Sequence, residues 1–157
     1  MTSEKIAVRR ARPADREFIL ATATRLGEFG APPWRTPDEI VEGEVRTLQR
    51  HLSSPGPAEA LLVAEDSSGR PLGFVFVETL ADYFRGEFHG HVGILAVGAE
   101  AEGRGAGRAL LGAAEAWARA RGYAFVTLNV FERNRRARAV YERTGYAAET
   151  LRYRKAL

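Results

Sequence analysis

The stretch VGAEAEGRGAGRALL, residues 97–111, decides how the rest of the chain is read. An apolar run (Val92, Ile94, Leu95, Ala96, Val97) ends in a loop with glycine at 103, 105 and 107. An Ala- and Leu-rich segment with the composition of a helix follows. Glycine lets a backbone approach a ligand closely and adopt positive φ without a Cβ clash. The first turn of a helix offers unpaired N–H groups and the positive end of its dipole. Together they form a ready site for phosphate, although a glycine-rich turn before a helix is also a common flexible loop.

Two familiar phosphate loops do not fit. The G-x-G-x-x-G dinucleotide pattern fails from Gly103, whose sixth place is Arg108, and from Gly105, whose sixth place is Leu110. A Walker loop needs lysine, and none lies between Lys5 and Lys155. Glu102-Gly103-Arg104-Gly105-Ala106-Gly107 instead resembles the acetyl-CoA loop of the GNAT superfamily of N-acetyltransferases, Gln/Arg-x-x-Gly-x-Gly/Ala. Both glycines fit, whereas Glu102 stands where Gln or Arg is usual. The resemblance implies that backbone groups of residues 102–108, including Arg104 and Arg108, hold the cofactor pyrophosphate.

A second segment extends the resemblance. Asn129 on a strand is followed by Asn134, Ala137 and Tyr141, and then by Gly145-Tyr146. This is similar to the family's strand Asn, its helix Asn-x-x-Ala-x-x-x-Tyr and its closing Gly-Phe/Tyr. Positions 137 and 141 share one helix face. The likeness implies that Tyr141 gives a proton to the departing thiolate, as a phenol that is neutral at pH 7 can; a core tyrosine packing helix on sheet is the plainer alternative. It also places Asn129, Asn134, Ala137 and the backbone of Leu95, Ala96 and Val97 against acetyl-CoA. Capping of a helix is sufficient reason for Asn134. For the base, His91 and Glu78 are the candidates: His91 precedes Leu95 on the same strand, His89 shares its face, and Glu78 ends the neighbouring strand. Their plainer reading is partly exposed strand residues, and a metal is not expected. Phe29, Trp34 and Arg35 lie in the loop that covers the acceptor site in the family; Trp34 either lines that pocket or anchors the loop.

The wider sequence is consistent with one domain spanning residues 1–157. Its composition is 45% hydrophobic and 10% aromatic, that of an ordinary globular protein. No run reaches the roughly 20 apolar residues of a membrane span, and Met1 to Arg10 lacks the apolar core of a signal peptide. Cysteine is absent, which excludes a thiolate metal site and a cysteine-linked acyl intermediate. A cytoplasmic location is expected. Residues 1–102 carry a net charge of −5 and residues 103–157 a net of +8. Of 23 basic residues, 21 are arginine, which suits bidentate phosphate contacts. Nucleic acid is not expected as a partner, because the basic half lacks the interleaved aromatic and basic strand of single-strand binders.

Period and punctuation give strands at Ile6–Arg9, Leu61–Ala64, Leu72–Thr79, His89–Val97 and Phe125–Phe131, with a last strand or hairpin over Tyr146–Leu157. Helices fall after Pro13, from about Asp38, after the glycine loop and after Asn134. The order β-α-α-β-β-β-α-β-α-β is also the GNAT order. It implies an α/β domain with a mixed, mostly antiparallel twisted sheet of about six or seven strands flanked by about four helices. The expected activity is direct acetyl transfer from acetyl-CoA to a primary amine of a small molecule, peptide or protein, the alternatives being a non-catalytic CoA-binding or sensor module and a transferase that uses another acyl-CoA; a homodimer is an expectation by analogy.

Overall fold

The computed structural model describes residues 5–157. Met1–Glu4, the start of the amino-terminal stretch read above, lie outside the described residues. The elements are β1 (Ala7–Arg10), α1 (Arg16–Ala23), α2 (Pro37–Ser53), β2 (Glu59–Glu65), β3 (Pro71–Ala81), β4 (Phe88–Val97), α3 (Ala106–Ala120), β5 (Val126–Leu128) and α4 (Arg135–Arg143). Three short 3-10 turns accompany them, at Pro13–Asp15, Thr24–Gly27 and Ala99–Ala101. The five strands lie in the order β1-β2-β3-β4-β5. The first three pairings are antiparallel and β4–β5 is parallel.

The sheet is covered on both faces, which is why β2 and β3 read as near-continuous apolar runs. Leu62, Val75 and Val77 turn toward α3, where Leu110, Leu111 and Ala114 meet them. Leu61, Val63, Phe74 and Phe76 turn the other way, onto Ile19 and Ala23 of α1 and Leu48 of α2. Fully burying a side chain such as Phe74 or Leu48 contributes about 1.5–3 kcal/mol. α2 starts at a reciprocal capping box: the Thr36 hydroxyl accepts from the Glu39 N–H, and the Glu39 carboxylate accepts from the Thr36 N–H.

The carboxyl-terminal part of the sheet is smaller than the sequence suggests. Phe125–Phe131 contracts to β5, Val126–Leu128, and no strand forms over residues 146–157. A three-residue strand offers an incoming partner few ladder bonds. Residues 147–157 are exposed and bury no apolar surface that would hold them in register. Arg154 of this segment sits over the Trp34 ring, 5.3 Å from its centroid, so the tail passes across the α1–α2 loop.

Candidate active site

Strands β4 and β5 part after three residue pairs. Gly90, His91 and Val92 oppose Val126, Thr127 and Leu128, but β4 continues alone to Val97. The ladder on its other side fixes which backbone groups face the gap. Gly98 donates to the Leu72 carbonyl at 2.8 Å, and Leu95 and Val97 oppose Val75 and Gly73. Antiparallel pairs alternate between bonded and non-bonded types. Leu95 and Val97 therefore occupy non-bonded positions, with N–H and C=O turned to the open edge. A bulge opposite Phe76 and Val77 leaves Gly93 as the extra residue of β4. The gap is a cleft of about 1440 Å³, and Leu95, Ala96, Val97, Glu102, Gly103, Gly105, Ala106, Gly107 and Arg108 line it.

The glycine loop closes one end. Gly105, at φ +91°, is the residue before α3, and a side chain there would be strained although no atom lies within 4 Å of the Cβ position. The first N–H to bond back is Ala109, onto the Gly105 carbonyl at 3.0 Å. The amides of Ala106, Gly107 and Arg108 thus have no acceptor within the helix. The first turn of α3 carries no acidic residue. Arg25, Arg108, Arg136 and Arg143 line the same cleft. Arg104 instead pairs with Asp66 of the β2–β3 turn at 3.6 Å. Free amides, a dipole terminus and several guanidinium groups make this end suited to a polyanion.

The other wall belongs to β5 and α4. Asn129, Asn134, Ala137 and Tyr141 all line the cleft. The Asn134 side chain caps α4 by accepting from the Ala137 N–H at 3.1 Å. The α1–α2 loop packs onto that cap: a Cβ on Gly30 (φ +70°) would sit 2.6 Å from the Asn134 Cβ. Burial raises the pKa of the Tyr141 phenol, which keeps it protonated, and its hydroxyl has no hydrogen-bond partner among the described residues. Tyr146, edge-on to Tyr141 at 5.9 Å, donates to Glu115 at 3.1 Å.

His91 and Glu78 lie one step away. Glu59, Glu78, His91 and Thr127 stand opposite one another across β2, β3, β4 and β5, so they form a polar row across the sheet. The Thr127 hydroxyl lies 2.8 Å from His91 Nδ1 and 3.1 Å from His89 Nε2. Burial, and then the neighbouring His89, lower the His91 pKa, so the ring is neutral at pH 7. Neither His91 nor Glu78 lines the cleft, although a Cβ on the cleft residue Gly93 would lie 3.6 Å from Glu78 Oε1. Phe29 lines the cleft. Trp34 and Arg35 do not: Trp34 carries Arg154, and Arg35 pairs with Glu39 at 2.9 Å.

Sequence reasoning passed over Glu44. It lies on α2, lines the cleft, and has no ion-pair or hydrogen-bond partner among the described residues. Burial raises its pKa. The signal was present: Glu44 interrupts the i, i+4 series Ile40, Glu44, Leu48, placing a carboxylate within an otherwise apolar helix stripe. Arg25, half-buried on the 3-10 turn after α1, was passed over as well; there a charge stands beside the half-buried Leu26.

Among the described residues no group of three or more His, Cys, Asp or Glu could hold a metal ion, and no helix is long and apolar enough to cross a membrane.

Known proteins place this architecture. No curated protein matches the chain. Solved structures share the fold over nearly its whole length. A GCN5-related N-acetyltransferase from Ralstonia eutropha JMP134 aligns with TM-score 0.74 at 20% identity, covering 97% of this chain and 99% of that one. A ribosomal-protein-alanine N-acetyltransferase from Brucella melitensis biovar Abortus 2308 aligns with TM-score 0.68 at 21% identity, covering 98% and 100%. The aminoglycoside N-acetyltransferase AAC(6')-Iy, solved in complex with CoA, aligns with TM-score 0.69 at 17% identity, covering 99% and 98%. The model of the acetyltransferase (GNAT) family matches residues 25–146, and this chain belongs to that family.

Proposed function

We propose that the chain is an acetyl-CoA-dependent N-acetyltransferase that passes the acetyl group directly to a primary amine. One observation carries the reading: the free amides of Ala106, Gly107 and Arg108, the open edge of β4 at Leu95 and Val97, and the unpartnered Tyr141 hydroxyl converge on one cleft. The residues present fit a CoA-type ligand. The amides and the guanidinium groups of Arg108 and Arg136 meet the charge of phosphates, and the strand edge offers the N–H and C=O of Leu95 and the N–H of Val97 to an extended amide-bearing arm, the Val97 carbonyl accepting from Arg25.

When bound, acetyl-CoA supplies an acyl group activated as a thioester. The chain's own residues do the rest. The backbone at Leu95 and Val97 orients the acyl end, and a donor aimed at developing negative charge is worth a factor of about 100–1,000. Tyr141 holds a proton for the leaving sulfur. Glu44, unpaired and half-buried, accepts the proton that an ammonium group must lose before it can attack. The polar row through His91 and Glu78 reaches Gly93 and offers a second route for that proton.

The test combines calorimetry with CoA and an assay of free thiol, run with acetyl-CoA and a panel of polyamines, aminoglycosides, amino acids and peptides. Micromolar CoA binding with amine-dependent thiol release is expected. Binding without release on any amine would make the chain a CoA-binding module rather than an enzyme. Absence of CoA binding would overturn the reading altogether.

A further inference from the structure

Arg25, Glu102 and Arg136 come from three separate elements and meet beside the phosphate loop. Arg25 lies on the turn after α1, Glu102 opens the glycine loop, and Arg136 is in the first turn of α4. Both carboxylate oxygens of Glu102 are engaged. Oε1 accepts from Arg25 Nη2 at 2.6 Å, and Oε2 accepts from Nη1 and Nη2 of Arg136 at 3.4 Å. Arg25 also donates to the carbonyl of Val97, on the open edge of β4, and lies over the Phe29 ring. All five residues line the cleft.

The chemistry of this knot is that of an anion held by two arginines. Glu102 sits at the lip of a site whose other features attract negative charge, and a fixed carboxylate there opposes a phosphate by simple repulsion. The same carboxylate holds two of the cleft's guanidinium groups. Its side chain is about one-third exposed, so it can turn to water at small cost once its partners leave. Arginine exchanges a carboxylate for a phosphate readily, because both accept its planar fork.

We propose that Glu102 is a built-in competitor for the ligand's phosphates: it holds Arg25 and Arg136 in the free protein and yields them when CoA binds. The two arginines are then phosphate-binding residues outside the glycine loop, and Glu102 sets the affinity downward, easing release of spent CoA. This inference rests on the CoA reading of the cleft.

The test is calorimetric titration of the full chain with CoA at fixed salt. Glu102→Gln is expected to bind CoA about 3- to 10-fold more tightly than wild type and with a steeper salt dependence. Arg25→Ala and Arg136→Ala are expected to bind at least 3-fold more weakly, and Arg136→Ala placed in the Glu102→Gln background is expected to cancel most of the gain. Dephospho-CoA, which lacks the 3′-phosphate, separates the phosphates: a gain retained with it assigns the arginines to the diphosphate, and a gain lost assigns them to the 3′-phosphate. Thermal melting checks that each variant is folded, and Glu102→Ala replaces Glu102→Gln if the latter is not. Wild type that binds CoA while the folded Glu102 variant binds it equally or more weakly would overturn this inference alone. Wild type that does not bind CoA would overturn the reading of the cleft and this inference with it.

Discussion

Glu44 and Tyr141 line one cleft from two different helices, α2 and α4, and neither side chain has a hydrogen-bond partner among the described residues. Burial raises both pKa values, with opposite consequences. The phenol is held more firmly neutral, as a proton donor must be. The carboxyl is made a stronger base than an ordinary glutamate.

Tyr141→Phe keeps the ring that packs against the core and removes only the hydroxyl. Turnover is expected to fall roughly 10-fold or more, with the Kd for CoA little changed, since general acid catalysis is worth at least that much. Steady-state kinetics paired with calorimetry makes the check. Wild-type kcat in the variant would leave Tyr141 as a packing residue.

Glu44→Gln is expected to lower kcat/KM about 100-fold. A base works only when ionised, so activity is lost as pH falls through its pKa. Since burial raises that pKa in the free protein, the acid limb of the kcat/KM profile should lie above the usual carboxylate range and should vanish in Glu44→Gln. A limb that stays in Glu44→Gln but disappears in His91→Ala would move the base to the polar row.

The contrast between Glu44 and His91 shows where the sequence was readable. The glycine loop was legible because its geometry is local: positive φ at Gly103 and Gly105 demands glycine whatever surrounds it. The cap at Asn134 and the buried stripe of α3 are local in the same sense. His91 is a matter of register. Its side chain meets Thr127 across a parallel pairing that ends one residue later, and the bulge at Gly93 then shifts the phase of β4. No spacing within one strand reports a bulge or the length of a partner. The missing last strand has the same cause, because a short β5 leaves Tyr146–Leu157 with too little edge to join.

Two glycine substitutions separate the loop's backbone role from general stability. Gly105→Ala places a Cβ at φ +91°, costing about 1–2 kcal/mol and turning the first amides of α3 away from the cleft. CoA binding should weaken at least 5-fold. Gly43→Ala lies inside α2, where the Cβ would meet only the tip of Arg46 at 3.8 Å. It should stabilise the fold by about 0.5–1 kcal/mol and leave the Kd for CoA unchanged. Calorimetry and thermal melting on both variants distinguish the two effects, and a lowered Tm with unchanged CoA affinity in Gly105→Ala would show that the loop glycine acts through stability alone.

Asp15 is one of the carboxylates that make the fold sensitive to acid. Its carboxylate, almost fully buried, accepts from Arg9 Nη1 at 2.7 Å, from Arg9 Nη2 at 3.0 Å and from the Arg12 N–H at 2.6 Å. The Arg9 hydrogen bonds hold its pKa below the ordinary value against the opposing effect of burial. A group with a depressed folded pKa contributes stability that is complete above its unfolded pKa, near 4, and fades as pH drops toward the folded value. Asp15→Asn keeps the shape but leaves Arg9 with Glu65 as its remaining charged partner, at 2.7 Å. Loss of about 2–3 kcal/mol is expected at pH 7, a fall in Tm of roughly 5–10 °C for a domain of this size. The wild-type advantage should shrink as the pH is lowered below about 4. A Tm difference that is constant from pH 7 to pH 3 would show that the Asp15–Arg9 pair is not what ties β1 to the turn before α1.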